Sequence, residues 1–129
     1  MNRDAPALVS WSEMLSYGAL EARVAEATGK LRTLGVRDHG RVGLWAENSV
    51  EWIVVALAVA RAGGVLVPLN TRLTDPEIAW QVERAAPSVV IAGDAFAARA
   101  VNASRLVSLA EWRTLAVGDI AAAPDADDP

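Results

Sequence analysis

Short apolar runs alternate with amphipathic stretches along most of this chain, a pattern typical of a protein with both strands and helices. Three runs are apolar without alternation and fit buried strands: Val42–Trp45, Val65–Pro68 and Ser88–Ala92. A fourth short strand is predicted at Arg105–Val107. Because a helical pattern separates each run from the next, the chain predicts an α/β fold with a partial parallel sheet flanked by helices.

The first helix is predicted from a stripe of apolar residues that recur in steps of four and three. Ser16 is placed to cap its start, and Gly35 to end it in the left-handed conformation. Glu26 and Lys30 are four residues apart and are expected to pair on its solvent-facing side. The members of the stripe are Leu20, Val24, Ala27, Leu31 and Leu34.

Two further helices carry start signals of the capping-box type. Asn48 with Glu51 is predicted to begin a helix over Val50–Ala62, and Thr74 with Glu77 to begin the next one. The helix over residues 50–62 is apolar nearly all round, so we expect it to be buried on more than one side.

The two ends of the chain differ from this strand–helix core. Near the N-terminus, Ala7–Ser10 and Met14–Tyr17 flank Trp11–Glu13 and predict a β-hairpin. Residues 119–129 contain four aspartates, four alanines and two prolines without an apolar pattern. We therefore expect one α/β sub-domain over residues 1–118 and an acidic linker over residues 119–129.

Composition and charge exclude several classes of function. With 129 residues, 53% of them hydrophobic, the chain suits one folded unit. A net charge of −4 argues against a nucleic-acid or anionic-membrane partner. The absence of cysteine excludes disulfides and thiolate chemistry, and we assign no metal ligands. The longest apolar run, Trp52–Ala60, is too short to span a membrane, and no targeting segment is visible, so a cytoplasmic protein is expected.

The sequence offers no loop that would cradle a phosphate. Such a loop needs glycines between the end of a strand and the start of a helix, where free amides face the anion. The pair Gly63–Gly64 instead follows a predicted helix. The loop after the first parallel strand, Ala46–Ser49, contains a carboxylate and no glycine. Nucleotide binding by this chain alone is therefore not expected.

No catalytic residue is assigned from the sequence. The single histidine, His39, lies in a turn between helix and strand and is interpreted as a solvent-facing turn residue. Carboxylates such as Glu47, Glu51, Asp75 and Glu77 coincide with helix starts, where capping explains them better than acid–base work. The five tryptophans are scattered along the chain and fit packing roles.

Arg72 is the one candidate for binding a cofactor. It lies in Asn70–Leu73, after the second parallel strand, at the sheet edge where open α/β folds bind ligands. One interpretation is a surface arginine paired with Asp75 or Glu77. The other is an anion contact, because the guanidinium fork suits a phosphate.

Several segments resemble the adenylate-forming superfamily of acyl-CoA synthetases and adenylation domains. Leu15–Leu20 resembles its first core motif, Val42–Glu51 its strand followed by Asn-Ser, and Ala60–Asn70 its second core motif. The resemblance runs from about residue 7 to residue 92 with the motifs in order. Within it, Leu69–Thr74 is most similar to o-succinylbenzoate–CoA ligases of menaquinone synthesis. The fold implied is the N-terminal sub-domain of the adenylate-forming ligase.

The resemblance implies an ATP-dependent carboxylic acid–CoA ligase. Such ligases use ATP and Mg²⁺ to form an acyl-adenylate and then transfer the acyl group to CoA. In some of them the arginine of an Asn-x-Arg-Leu turn meets the nucleotide end of CoA. That position is Arg72 here, which favours the anion-contact interpretation.

The chain also departs from the superfamily. Its 129 residues contain no Ser/Thr/Gly-rich phosphate loop, and its one lysine, Lys30, lies in the first helix rather than at a catalytic position. Asp125–Pro129 resembles the acidic linker that precedes that loop. We therefore expect the chain to be inactive and free of cofactor alone, partnered by the remainder of the ligase or self-associated through an exposed apolar face. The alternatives are one half of a split ligase, a non-catalytic α/β interaction module, or part of a peptide synthetase's adenylation domain.

Overall fold

A four-stranded parallel sheet forms the centre of the fold, as the unbroken apolar runs predict. The computed structural model describes residues 2–9, 14–99 and 103–117. The strands are β1 Pro6–Val9, β2 Met14–Ser16, β3 Arg41–Trp45, β4 Val65–Pro68, β5 Val89–Ala92 and β6 Leu106–Ser108. The helices are α1 Tyr17–Thr33, α2 Val50–Arg61, α3 Asp75–Ala85, α4 Asp94–Ala97 and α5 Leu109–Thr114.

The strand order of the sheet is β4-β3-β5-β6, and all three pairs are parallel. The chain therefore steps from β3 outward to β4 and then crosses back over β3 to β5. Because right-handed crossovers are the rule, the two steps place α2 and α3 on opposite faces of the sheet. The sheet is thus covered by helices on both sides, as the sequence predicts.

Side chains of the two central strands alternate between the faces and build two cores. Val42 and Leu44 point into the core that α1, α2 and α5 cover. Trp45 and Val90 point into the opposite core, where they meet Ile78 and its neighbours on α3. Burial on both faces explains why these strands are apolar throughout.

The N-terminal hairpin and the first helix are confirmed. β1 and β2 pair antiparallel, while the turn over residues 10–13, with Trp11, lies outside the described residues. The Ala19 N–H donates to the Ser16 hydroxyl over 3.1 Å at the start of α1. Gly35 follows the helix with a φ of +91°, a conformation that glycine adopts without steric cost.

Lys30 is buried, so the expectation that it faces solvent was wrong. Only 6% of the residue is exposed, and its ammonium donates to the Trp112 carbonyl over 2.8 Å. The same Nζ lies 5.3 Å from the Trp112 ring centroid. Its expected partner Glu26 is 4.0 Å away and stays exposed. The reason for the burial is that α5 packs over this part of α1.

One expectation for α2 also needs correction. Its cap is Ser49, not Asn48, because the Trp52 N–H donates to the Ser49 hydroxyl over 3.1 Å. Ile53 and Leu57 are 37% and 44% exposed. The helix is buried where it faces the sheet and where it faces α1, as expected, and no described element covers the side that carries Ile53 and Leu57.

Strand β4 lies at an edge of the described sheet. The Val65 N–H donates to the Gly40 carbonyl over 2.8 Å, and the Leu69 N–H to the Leu44 carbonyl over 2.9 Å. By the two-residue period of a strand, Leu66 and Pro68 carry the outward-facing backbone groups. Since proline has no N–H, Pro68 offers a further strand a carbonyl acceptor but no donor.

The later elements agree with the sequence to within a few residues. The capping box at Thr74 and Glu77 is present at the start of α3. α4 is a short helix of four residues, Asp94–Ala97. β6 begins at Leu106, one residue later than predicted. No helix in the described part of the chain is long and apolar enough to cross a membrane.

We expect Lys30→Ala to lower the free energy of unfolding by about 1–3 kcal/mol, because a buried charged hydrogen bond and a packed side-chain stem are both lost. Glu26→Ala is the control, since the 4.0 Å pair that it breaks is mostly exposed on the glutamate side. It should cost less than about 0.5 kcal/mol. Urea unfolding followed by tryptophan fluorescence measures both, and equal effects would contradict the role given to Lys30.

Candidate functional site

Arg72 lies in the turn after β4, at the carboxyl edge of the sheet. We call Asn70–Thr74 the Arg72 turn. The Asn70 side-chain oxygen accepts the Arg72 N–H over 2.8 Å, which is an Asx turn. Leu69, immediately before the turn, is buried in the core, while the Arg72 side chain is exposed. The turn is thus anchored at its base and presents its arginine to solvent.

The carboxylates expected to pair with Arg72 are engaged elsewhere. Asp75 forms an ion pair with Arg99, and Glu77 accepts from both the N–H and the hydroxyl of Thr74, over 2.9 and 2.8 Å. Within the part of the chain that the structure describes, Arg72 has no carboxylate partner. The interpretation of Arg72 as one half of a surface ion pair with Asp75 or Glu77 is therefore wrong.

Arg99 is a residue of this region that sequence reasoning missed. Its Nε and Nη2 contact the Asp75 carboxylate, and Nη2 also donates to the Leu73 carbonyl over 3.0 Å. Its guanidinium lies 4.9 Å from the ring centroid of buried Trp45. Arg99 and Asp75 are 24 positions apart, and no local pattern in the sequence could have revealed this pairing.

A cleft of about 720 Å³ opens at the carboxyl edge of the sheet, and its lining includes no residue of the Arg72 turn. It lies where β3 and β5 are neighbours but lead to helices on opposite faces, the position at which open α/β sheets bind ligands. The lining is built mainly from the loops after these two strands. It comprises Arg23, residues 46–51 and 93–96, Leu109 and Arg113.

The charges in this cleft do not suit a phosphate. Its lining holds three carboxylates, from Glu47, Glu51 and Asp94, against the guanidiniums of Arg23 and Arg113. Arg113 lies 2.8 Å from Glu51 and 3.9 Å from Asp94, so its charge is already used in bridging α2 and α4. The cleft therefore presents acceptors where a phosphate needs donors.

The remaining sequence candidates take structural roles. His39 is exposed with a φ of +64°, and its N–H donates to the Gly63 carbonyl over 2.8 Å, so it is the turn residue that the sequence indicates. Trp45 and Trp112 are buried, whereas Trp80 is exposed under the guanidinium of Arg84. Among residues 2–9, 14–99 and 103–117, no group of three or more acidic or histidine side chains could hold a metal ion.

Comparison with known proteins identifies the family. The family model of the AMP-binding enzymes matches residues 1–128. The chain therefore belongs to the AMP-binding enzyme family, and the resemblance noted in its core motifs is confirmed.

Relatives of two kinds match the chain. The 3-[(3aS,4S,7aS)-7a-methyl-1,5-dioxo-octahydro-1H-inden-4-yl]propanoyl:CoA ligase of Mycobacterium tuberculosis is 36% identical over 93 residues, 72% of this chain and 18% of the ligase. A linear gramicidin synthase of Brevibacillus parabrevis is 31% identical over 115 residues, 88% of this chain and 2% of the synthase. The chain thus spans less than a fifth of the length of either relative.

Solved structures show the same fold. The N-terminal domain of FACL13 from Mycobacterium tuberculosis superposes with a TM-score of 0.75 at 28% identity, over 88% of this chain and 33% of that one. O-succinylbenzoate coenzyme A synthetase from Bacillus subtilis has a TM-score of 0.80 at 19% identity, over 90% of this chain and 31% of that one. The chain is an N-terminal part of the adenylate-forming ligase fold, and its predicted fold class is confirmed.

The capping box beside Arg72 is expected to be pH-sensitive. Hydrogen bonds from the Thr74 N–H first, and then from the Thr74 hydroxyl, lower the pKa of the Glu77 carboxyl below its ordinary value. Because the pKa of Glu77 is lower in the folded state than in the unfolded state, the charged carboxylate stabilises the start of α3. This stabilisation is fully present above the unfolded-state pKa and is lost as the pH falls through the folded-state pKa.

A carbon-13 NMR titration of the Glu77 carboxyl should therefore give a pKa below the ordinary glutamate value. Thr74→Ala should raise that pKa only in part, since the backbone N–H remains, and Thr74→Ser should leave it low. A Glu77 pKa that is the same in all three proteins would refute the contribution of the hydroxyl.

Proposed function

We propose that this chain is the N-terminal part of an ATP-dependent carboxylic acid–CoA ligase that forms an acyl-adenylate and then a thioester. The family match over residues 1–128 carries the proposal, and the superposition on the N-terminal domain of FACL13 supports it. The intact enzyme would use ATP, Mg²⁺ and CoA. Because the 129 residues contain no Ser/Thr/Gly-rich phosphate loop, the chain would contribute scaffold rather than the reacting groups.

Arg72 would contribute a contact to the anionic nucleotide end of CoA. Three features of its surroundings support this role. The side chain is exposed, the backbone of its turn is anchored by Asn70, and the neighbouring carboxylate of Asp75 is neutralised by Arg99. A guanidinium held in this way can donate two parallel hydrogen bonds to a phosphate.

The acid substrate is a narrower proposal. The segment Leu69–Thr74 resembles o-succinylbenzoate–CoA ligases, which supports a place in menaquinone synthesis. The M. tuberculosis relative, however, acts on a different acid, and the likeness to the B. subtilis synthetase is one of fold. A panel of carboxylic acids in the ATP–pyrophosphate exchange assay would decide, and activity only with other acids would exclude o-succinylbenzoate.

The linker over residues 119–129 and a cytoplasmic location also remain predictions from the sequence. The remainder of the ligase is the proposed partner, with self-association as the alternative when it is absent. Ile53 and Leu57 support a covering partner, since both are large apolar side chains exposed one turn apart on α2.

An adenylation domain of a peptide synthetase is the second candidate function. The match to the linear gramicidin synthase over 88% of this chain favours it. The two candidates share the adenylation step and differ in the thiol that receives the acyl group. Transfer to a carrier protein, with no transfer to free CoA, would select the synthetase.

In the ligase that contains this chain, Arg72→Ala should raise the KM for CoA about tenfold, because a charge-assisted hydrogen bond is lost. The rate of ATP–pyrophosphate exchange should not change, since CoA takes no part in adenylation. Arg105→Ala is the matched control, because Arg105 is exposed just before β6, the outer strand on the other side of the sheet from β4. A defect confined to the exchange reaction would refute the assignment of Arg72.

Purified as these 129 residues, the chain should catalyse no ATP–pyrophosphate exchange with any carboxylic acid. Exchange above background would show that these 129 residues do contain the reacting groups.

Light scattering of the same chain should show self-association, because the apolar side chains on α2 lack their partner. A monodisperse monomer with a high melting temperature would count against the apolar face.

A further inference from the structure

Arg99 joins two parts of the carboxyl edge that are distant in sequence. It lies just after α4 and reaches the Arg72 turn, where it contacts the Asp75 carboxylate and donates to the Leu73 carbonyl over 3.0 Å. Its side chain is only 28% exposed. The guanidinium also lies over the buried ring of Trp45, which restricts the positions that it can take.

Asn70 and Arg99 hold the backbone on the two sides of Arg72. On the N-terminal side, Asn70 accepts the Arg72 N–H within the turn itself. On the C-terminal side, the Leu73 carbonyl is held by Arg99. The first contact is local to the turn. The second joins the turn to a segment 26 positions away, in addition to the packing of the Leu73 side chain against the core.

Arg99 also changes the electrostatics of Arg72. Asp75 is three residues from Arg72 and exposed, so a free Asp75 carboxylate would compete with any anion for the Arg72 guanidinium. The structure instead pairs Asp75 with Arg99. The positive charge of Arg72 is therefore left without a neutralising neighbour among the described residues.

We propose that Arg99 is a positioning residue that fixes the Arg72 turn and occupies Asp75, so that the Arg72 guanidinium remains available to an anion. This inference rests on the proposed contact between Arg72 and CoA. Loss of Arg99 should therefore have two effects. One is on the order of the Arg72 turn, the other is on the charge that Arg72 presents, and each has its own measurement.

The order of the turn is measured in the ligase that contains this chain, by amide hydrogen exchange read out by mass spectrometry. Arg99→Met keeps a side chain that can lie over Trp45 but removes every donor. It should speed exchange in a peptide that covers the Arg72 turn, while peptides from β3 and β5 stay protected. Arg41→Met is the matched control, since Arg41 donates to the Ala85 carbonyl over 2.9 Å, away from the turn.

The charge effect is measured in the ligase that contains this chain. Arg99→Met should raise the KM for CoA roughly fivefold, with the exchange rate unchanged, because Asp75 then pairs with Arg72. Adding Asp75→Asn to that variant should recover part of the KM, since the competing carboxylate is gone. A purely structural role for Arg99 predicts no recovery. Arg99→Lys, which keeps a charge for Asp75, should lie between wild type and Arg99→Met.

The possible results separate this inference from the function on which it rests. If Arg72→Ala leaves the KM for CoA unchanged, the CoA contact is wrong and the role of Arg99 falls with it. If Arg72→Ala raises the KM but Arg99→Met does not, the contact stands and the positioning role is overturned. If Arg99→Met raises the KM and the double variant gives no recovery, the charge effect is overturned.

Discussion

Strand β3 must pair with β4 on one side and with β5 on the other, and this constraint organises the rest of the molecule. Parallel neighbours can be joined only by crossovers. The connection from β3 to β4 and the connection from β4 back to β5 run in opposite directions along the sheet, so their helices lie on opposite faces. The loops after β3, β4 and β5 consequently emerge at one edge of the sheet. Both the cleft and the Arg72 turn lie there because of that topology.

Side chains from distant elements then hold this edge together. α5 has six residues, too few to be stable as an isolated helix. Lys30 binds its Trp112 carbonyl, Arg113 pairs with Glu51, and the Asp94 carboxylate accepts the Ala110 N–H over 2.9 Å. The same contacts shape the cleft, since Arg113 and Leu109 form part of its lining. Stability and the shape of the candidate site therefore depend on one set of polar contacts.

This edge differs from that of a nucleotide-binding α/β protein. The usual ligand position at the switch between β3 and β5 is rich in carboxylates, with Arg113 already bridging two of them. The cation without a carboxylate partner in the described part of this edge is instead Arg72, one strand away. The function that we propose assigns to this chain a scaffold with one exposed anion contact, which fits a segment that spans 18% of the length of the ligase relative.

The sequence by itself determined the features that depend on neighbouring residues. The strands are apolar runs, and the caps at Ser16 and Thr74 each act within three positions along the chain. The core motifs also sufficed to place the chain in its family. Arg72 could be singled out because its turn follows a strand directly. At α2 the local pattern placed the cap one residue too early, at Asn48 instead of Ser49.

Only the tertiary structure decided which side chains lose their water and which charges meet. Lys30 looked like a surface residue because its partner, Trp112, is 82 positions away. The exposure of Ile53 and Leu57 depends on what covers the outer side of α2, which no periodicity can tell. Asp75 was expected near Arg72 and pairs with Arg99 instead. Each of these outcomes depends on which distant segments meet, and the packing between elements decides this.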